Sequence, residues 1–295
     1  GYPPYRDTDL RRFVMREAYR KLGVILLMTL WLGALTPVLI AQRHLSDEDE
    51  CVVRMRTLST VMLMYLQDYD EVFPLAFGRD TTGNWLWSDA HPVPYDWRQS
   101  DPNREAAFAS MWANAILPYL SRGGTPNYEV LYCPATIATK MAADSNYANP
   151  RRRPAKVSYT YNGLLHRFSF GQSDNPATVP TLWEGRGRTY PVGYALSNPT
   201  LRCTNPSIEC RYYSPARDGY CGVGGAMFTI DSVWIHPKGT VMAYMDGHVG
   251  WRRLGLVVAP NDTDPNYDPF TGYNTSGVPS YYWFDGCNPW LFRPY

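Results

Sequence analysis

Local signatures of catalysis are missing from this sequence. It holds no Gly-x-Ser-x-Gly, no His-Glu-x-x-His and no phosphate-binding loop, so the common hydrolase, metalloprotease and nucleotide chemistries have no motif behind them. No Cys-x-x-Cys pair occurs, which removes the usual signal for a zinc site or a thioredoxin-like centre. Charge is scarce: 19% of residues are charged, the net charge is +1 and the sequence pI is 7.7. No basic stripe stands out, and nucleic acid is not an expected partner. Proline (25), glycine (23) and tyrosine (23) are abundant, a profile of a loop-rich, aromatic-rich domain outside the cytosol.

One stretch lacks charge altogether. Leu22 to Ala41, LGVILLMTLWLGALTPVLIA, is flanked by Arg20 and Lys21 before it and Arg43 and His44 after it. A helix of that length is about 30 Å long, the thickness of a bilayer's hydrocarbon core. A helix apolar all round has no face to offer water, so the expectation is a membrane span. Pro37 should kink it. Residues 1–21 carry five arginines and Lys21 against Asp7, Asp9 and Glu17, whereas the far side opens on the acidic run Asp47 to Glu50. Basic residues stay on the cytoplasmic side, which puts the N-terminus inside and residues 42–295 outside. The expected organisation is a basic segment with an amphipathic helix (1–21), the span (22–41), an outer domain (42–254) and an aromatic-rich extension (255–295).

All six cysteines, Cys51, Cys133, Cys203, Cys210, Cys221 and Cys287, lie on the outer side. An even count in an oxidising compartment reads as disulfides, with about fifteen pairings open. After the span, Ser46 with Asp49 reads as a capping box. Leu58, Val61, Met62, Tyr65 and Leu66 then mark one face of a helix that should end near Phe73-Pro74 and lay its stripe on a sheet. Residues 75–105 are turn-rich. Residues 107–120 read as a short helix stopped by Pro118, Glu129 to Cys133 as an apolar strand, and 157–162 as an alternating strand. Residues 135–156 read as an exposed loop and 170–225 as a disulfide-pinned loop region. Thr240 to Met245 and His248 to Trp251, joined by Asp246-Gly247, make the clearest hairpin.

Together these pieces resemble a family: bacterial pilin-like proteins with a His-x9-Asp-Gly motif, relatives of type II secretion pseudopilins. The motif here is His236, nine residues, then Asp246-Gly247. The helix 51–74 with its leading cysteine, MWANAILPYL (111–120), Tyr132-Cys133-Pro134 and SYTYNGLL (158–165) follow in the family's order. The resemblance covers roughly Pro37 to Trp251. It implies an α+β fold, a long N-terminal helix on a small antiparallel sheet, without catalysis, and a Cys51–Cys133 bridge. Cys203 with Cys210 and Cys221 with Cys287 are the pairings expected of the rest, with no motif behind them.

The chain departs from the family at its start. Pilins carry a Gly-Phe-type peptidase site just before the apolar helix and a glutamate early in it. Aligned on Pro37, that glutamate's position holds Arg20, and charged residues precede it. Buried in a filament core, each unpaired arginine would cost several kcal/mol. The expectation is a membrane-anchored structural subunit of a larger assembly, with a filament subunit and a glycan-binding module as alternatives. Its expected partners are membrane subunits and the bilayer.

Three further features bear on ligands. His236 and His248 flank the hairpin with Asp246, a set open to a metal or a catalytic pair, but hairpin hydrogen bonds are the plainer reading. Asp262, Asp264, Asn266 and Asp268 alternate like the first ligands of a calcium loop. Tyr267 and Tyr273 stand where such a loop needs glycine and glutamate, so a solvated turn is expected, with calcium as the alternative. The aromatic tail (Tyr281, Tyr282, Trp283, Phe284, Trp290, Phe292) suits a partner face, a glycan-stacking surface or core packing.

Overall fold

The computed structural model describes residues 47–86, 90–99, 101–141, 144–186, 189–198, 235–236, 239–253, 271–273, 279–282, 292 and 294. Among them no helix is long and apolar enough to cross a membrane. The 22–41 run, Pro37, Ser46, the 262–268 acidic run and Cys203, Cys210, Cys221 and Cys287 all lie outside the described residues.

The first described helix, α1, covers residues 47–68. Its expected stripe is buried: Leu58, Val61, Met62, Tyr65 and Leu66 join one apolar cluster, and Cys51 and Met55 extend it towards the helix start. The helix ends five residues before Phe73. Asp70 and Glu71 both take left-handed conformations (φ 52° and 59°), and Glu71 N–H donates to Leu66 O at 2.8 Å. Two such residues reverse the chain sooner than the proline would.

A six-stranded sheet faces the helix. Its strands are β1 (Ala90–Pro92), β2 (Thr160–Tyr161), β3 (Pro180–Trp183), β4 (Tyr194–Ser197), β5 (Gly239–Tyr244) and β6 (Val249–Arg253). The spatial order is β6-β5-β3-β2-β4-β1. Contrary to the antiparallel expectation, the sheet is mixed, because β2 and β4 pair in parallel while the other pairings are antiparallel. Ala243, Leu182 and Tyr161 lie in register and pack in the cluster with α1. The adjacent row, Met242, Trp183, Thr160 and Leu196, turns to the other face. Phe292 packs there against Trp183, ring centroids 5.5 Å apart, and its carbonyl accepts from Asn162 Nδ2 at 2.8 Å. That member of the aromatic tail is core.

Several local expectations are corrected. β3 and β4 arise inside the supposed 170–225 loop region; they are four residues each and buried at every position, so neither alternates. The expected helix at 107–120 begins earlier, as α2 (Pro102–Ser110) with Asp101 accepting from Asn103 N–H at its start. It breaks at extended Met111, which bridges Leu75, and resumes as α3 (Trp112–Ala115). Trp112 N–H donates to Leu75 O instead of continuing α2. Pro118 then opens a 3-10 turn at Leu117–Leu120 rather than ending a helix. The expected strand at 129–133 is instead a 3-10 turn, Tyr128–Leu131, capped by Asn127. Within 135–156, Ile137–Thr139 pairs in parallel with Thr189–Pro191.

The hairpin is as expected. β5 and β6 pair Val241 with Trp251 and Ala243 with Val249. Gly247 turns at φ 93°, and Asp246 Oδ1 accepts from the His248 N–H at 3.1 Å.

Candidate functional site

Four residues far apart in sequence meet where α1 carries Cys51. Cys51 and Cys133 form a disulfide, as the family resemblance implies. The bridge ties α1 to the segment before β2, and both cysteines are fully buried. Around it, Cys133 N–H donates to Ser158 Oγ at 2.8 Å and Tyr159 O–H donates to Cys51 O at 3.2 Å. Arg54 donates to the carbonyls of Tyr132 (3.0 Å) and Glu129. Its guanidinium therefore lies one residue from Cys133.

Glu184 follows the last residue of β3. Antiparallel pairing of β3 with β5 sets Trp183 opposite Met242, which brings residue 184 beside Val241. Glu184 Oε2 accepts from the Val241 N–H at 2.9 Å and from Thr240 Oγ1 at 3.3 Å. The other oxygen, Oε1, meets His236 Nε2 at 3.0 Å. His236 Nε2 also lies 3.6 Å from Cys133 Sγ. Cys51, Cys133, Glu184 and His236 thus present one donor atom each, all within 4.8 Å of one another, and all four are buried.

The two hairpin histidines do not converge. His236 goes inward to Glu184, whereas His248 is exposed and holds Asp246 Oδ1 through Nδ1 at 2.6 Å. The hydrogen-bond reading is the one that holds for Asp246 and His248. Gly247 has a different role: a Cβ added there would lie 2.5 Å from Leu63 Cδ1, and its carbonyl accepts from Ser59 Oγ at 2.8 Å. The Asp-Gly turn therefore sits against α1. In effect the His-x9-Asp-Gly motif fastens the sheet to the helix at two separate places, by His236 under the disulfide and by Gly247 further along.

No protein-family model matches the chain, nor does any curated protein or solved structure. What the site does must come from its chemistry.

A second interior polar group lies nearby. Arg186 is buried and donates from Nη1 to the Val157 carbonyl at 3.3 Å and to the Tyr194 carbonyl. Burial pulls its pKa down to about 10. His91 on β1 is fully buried, edge-on to Trp112. Desolvation, with Arg186's charge adding to it, pulls its pKa down to about 3, so it stays neutral. His166 is held neutral in the same way, at about 3, with Nδ1 accepting from the Ala76 N–H at 3.1 Å. These are structural histidines. Sequence reasoning passed over Glu184 and Arg186, since a lone acid or base in a short loop carries no periodic or motif signal.

Proposed function

We propose that the chain is a non-enzymatic, single-span subunit that braces a larger membrane assembly from the outer face of a bacterial inner membrane. In this reading residues 22–41 cross the bilayer with residues 1–21 in the cytoplasm, and the pilin-like outer domain contacts neighbouring subunits. The observation that carries it is the treatment of α1. From residue 47 to 68 the helix follows the uncharged run in sequence, its apolar stripe is buried on the sheet, and it is pinned by the disulfide and by the Asp-Gly turn. A helix held at several points suits a part that transmits position rather than one that opens for substrate. The paired titratable groups near it, Glu184 and His236, are buried and engaged with each other.

The test is solubilisation of native membranes in mild detergent, followed by identification of what migrates with the chain. Fixed-ratio membrane partners, and resistance of the chain to alkaline extraction, are the expected result. Recovery as sheared homopolymer would move the assignment to a filament subunit. Release by alkaline wash would overturn the membrane anchor.

A further inference from the structure

We infer that Cys51, Cys133, Glu184 and His236 form a zinc-type metal site that opens when the Cys51–Cys133 bridge is reduced. The donor set decides the metal class: two thiolates, one imidazole and one carboxylate suit a borderline-soft, four-coordinate ion such as Zn²⁺. Two of the donor separations can be set against those of such a site. From ordinary zinc–ligand lengths, a tetrahedron has edges of about 3.4 Å between N and O, about 3.6 Å between N and S and about 3.8 Å between sulfurs. His236 Nε2 stands 3.0 Å from Glu184 Oε1 and 3.6 Å from Cys133 Sγ. The donor atoms all lie within 4.8 Å of one another, and the two sulfurs are bonded to each other. Disulfide and metal are therefore alternatives at one place, and only reduction lets the sulfurs part.

The surroundings are built for ligation as well. Val241 N–H and Thr240 Oγ1 occupy Glu184 Oε2 and leave Oε1 directed at the cluster, the kind of outer hydrogen bonding that orients metal ligands. Two thiolates and a carboxylate around a divalent ion leave one net negative charge. The Arg54 guanidinium, bonded to Tyr132 O beside Cys133, brings positive charge to that side of the cluster while it also pairs with Glu50. The plainer alternative, a buried Glu–His hydrogen bond with a disulfide as its neighbour, explains the Glu184 contacts. What the metal reading adds is that four potential donor atoms from four separate segments converge within 4.8 Å.

The balance of the step is simple. A small dithiol breaks the Cys51–Cys133 bond, supplies two electrons and two protons, and leaves as its own disulfide. Zn²⁺ then displaces the two thiol protons to solvent. His236 ligates as the neutral tautomer whose Nε2 carries the lone pair. The inference does not rest on the proposed membrane role.

The experiment uses the full chain in detergent, reduced with a phosphine under argon, desalted and titrated with Co²⁺ as the probe. One equivalent should give a thiolate-to-cobalt charge-transfer band and the visible bands of a four-coordinate ion. Zn²⁺ should bleach both, and the unreduced chain should show neither. His236→Ala and Glu184→Gln should each weaken cobalt binding at least tenfold, with circular dichroism confirming that the variants fold. A wild-type measurement covers the case in which they do not: Zn²⁺ should protect Cys51 and Cys133 of the reduced chain from alkylation, read peptide by peptide. The inference is overturned by a reduced chain that gives no cobalt band. It is equally overturned by a folded His236→Ala variant of unchanged affinity, or by protection confined to Cys203, Cys210, Cys221 or Cys287.

Discussion

Replacing Gly247 with alanine tests whether the Asp-Gly turn is fastened to α1. Two costs are expected. An L-residue at φ 93° loses about 1–2 kcal/mol relative to glycine. The new Cβ also lands 2.5 Å from Leu63 Cδ1, and moving that half-buried side chain to another rotamer costs about 1 kcal/mol. Gly247→Ala should therefore destabilise by about 2–3 kcal/mol in guanidinium titrations followed by tryptophan fluorescence. The terms can be separated. Gly247→Asn tolerates the backbone conformation but keeps the clash, so it should retain about 1 kcal/mol of the loss. In a Leu63→Ala background the clash disappears, and the double mutant should fall short of the summed losses by about 1 kcal/mol. A Gly247→Ala loss below about 0.5 kcal/mol, or no coupling to Leu63→Ala, would refute the packing argument.

Other outcomes follow from the same packing. Replacing Cys51 and Cys133 together with alanine opens a loop with a sequence separation of 82 residues and should cost about 4.5 kcal/mol by the chain-entropy relation, measured by the same titration. Glu184→Ala strands the Val241 N–H and His236 and should cost about 3 kcal/mol, and a loss under about 1 kcal/mol would show the pair to be dispensable. Acid should weaken the fold through His91 and His166, whose folded pKa values near 3 lie below the ordinary 6.5. Because the unfolded chain takes up their protons first, stability is whole above pH 6.5 and falls as pH drops towards 3, each site adding up to about 1.4 kcal/mol per pH unit. His91→Gln or His166→Gln should flatten melting temperature against pH over that window; an unchanged slope would contradict the buried-neutral assignment.

The elements that were legible in the sequence were those whose signal is local. The α1 stripe repeats at helical spacing over several turns, and the β5–β6 hairpin is joined by Asp246-Gly247, which few other structures tolerate. β3 and β4 escaped because four buried residues show no alternation, and burial on both faces is a property of their neighbours. The break at Met111 follows from a bridge to Leu75, a partner that helical spacing cannot register. The candidate site was legible by halves. The resemblance named Cys51, Cys133 and His236, but Glu184, which joins them, stands in no motif. Its partners come from positions 133, 236, 240 and 241, and only the strand register assembles them.

The disulfide also governs how this domain can be shed. Because it joins residues 51 and 133, a protease cutting anywhere in residues 52–132 leaves both pieces covalently linked. The turn-rich stretch of 75–105 falls inside that protected interval. Parting the two pieces of a chain cut in that interval therefore also requires reduction of the bridge.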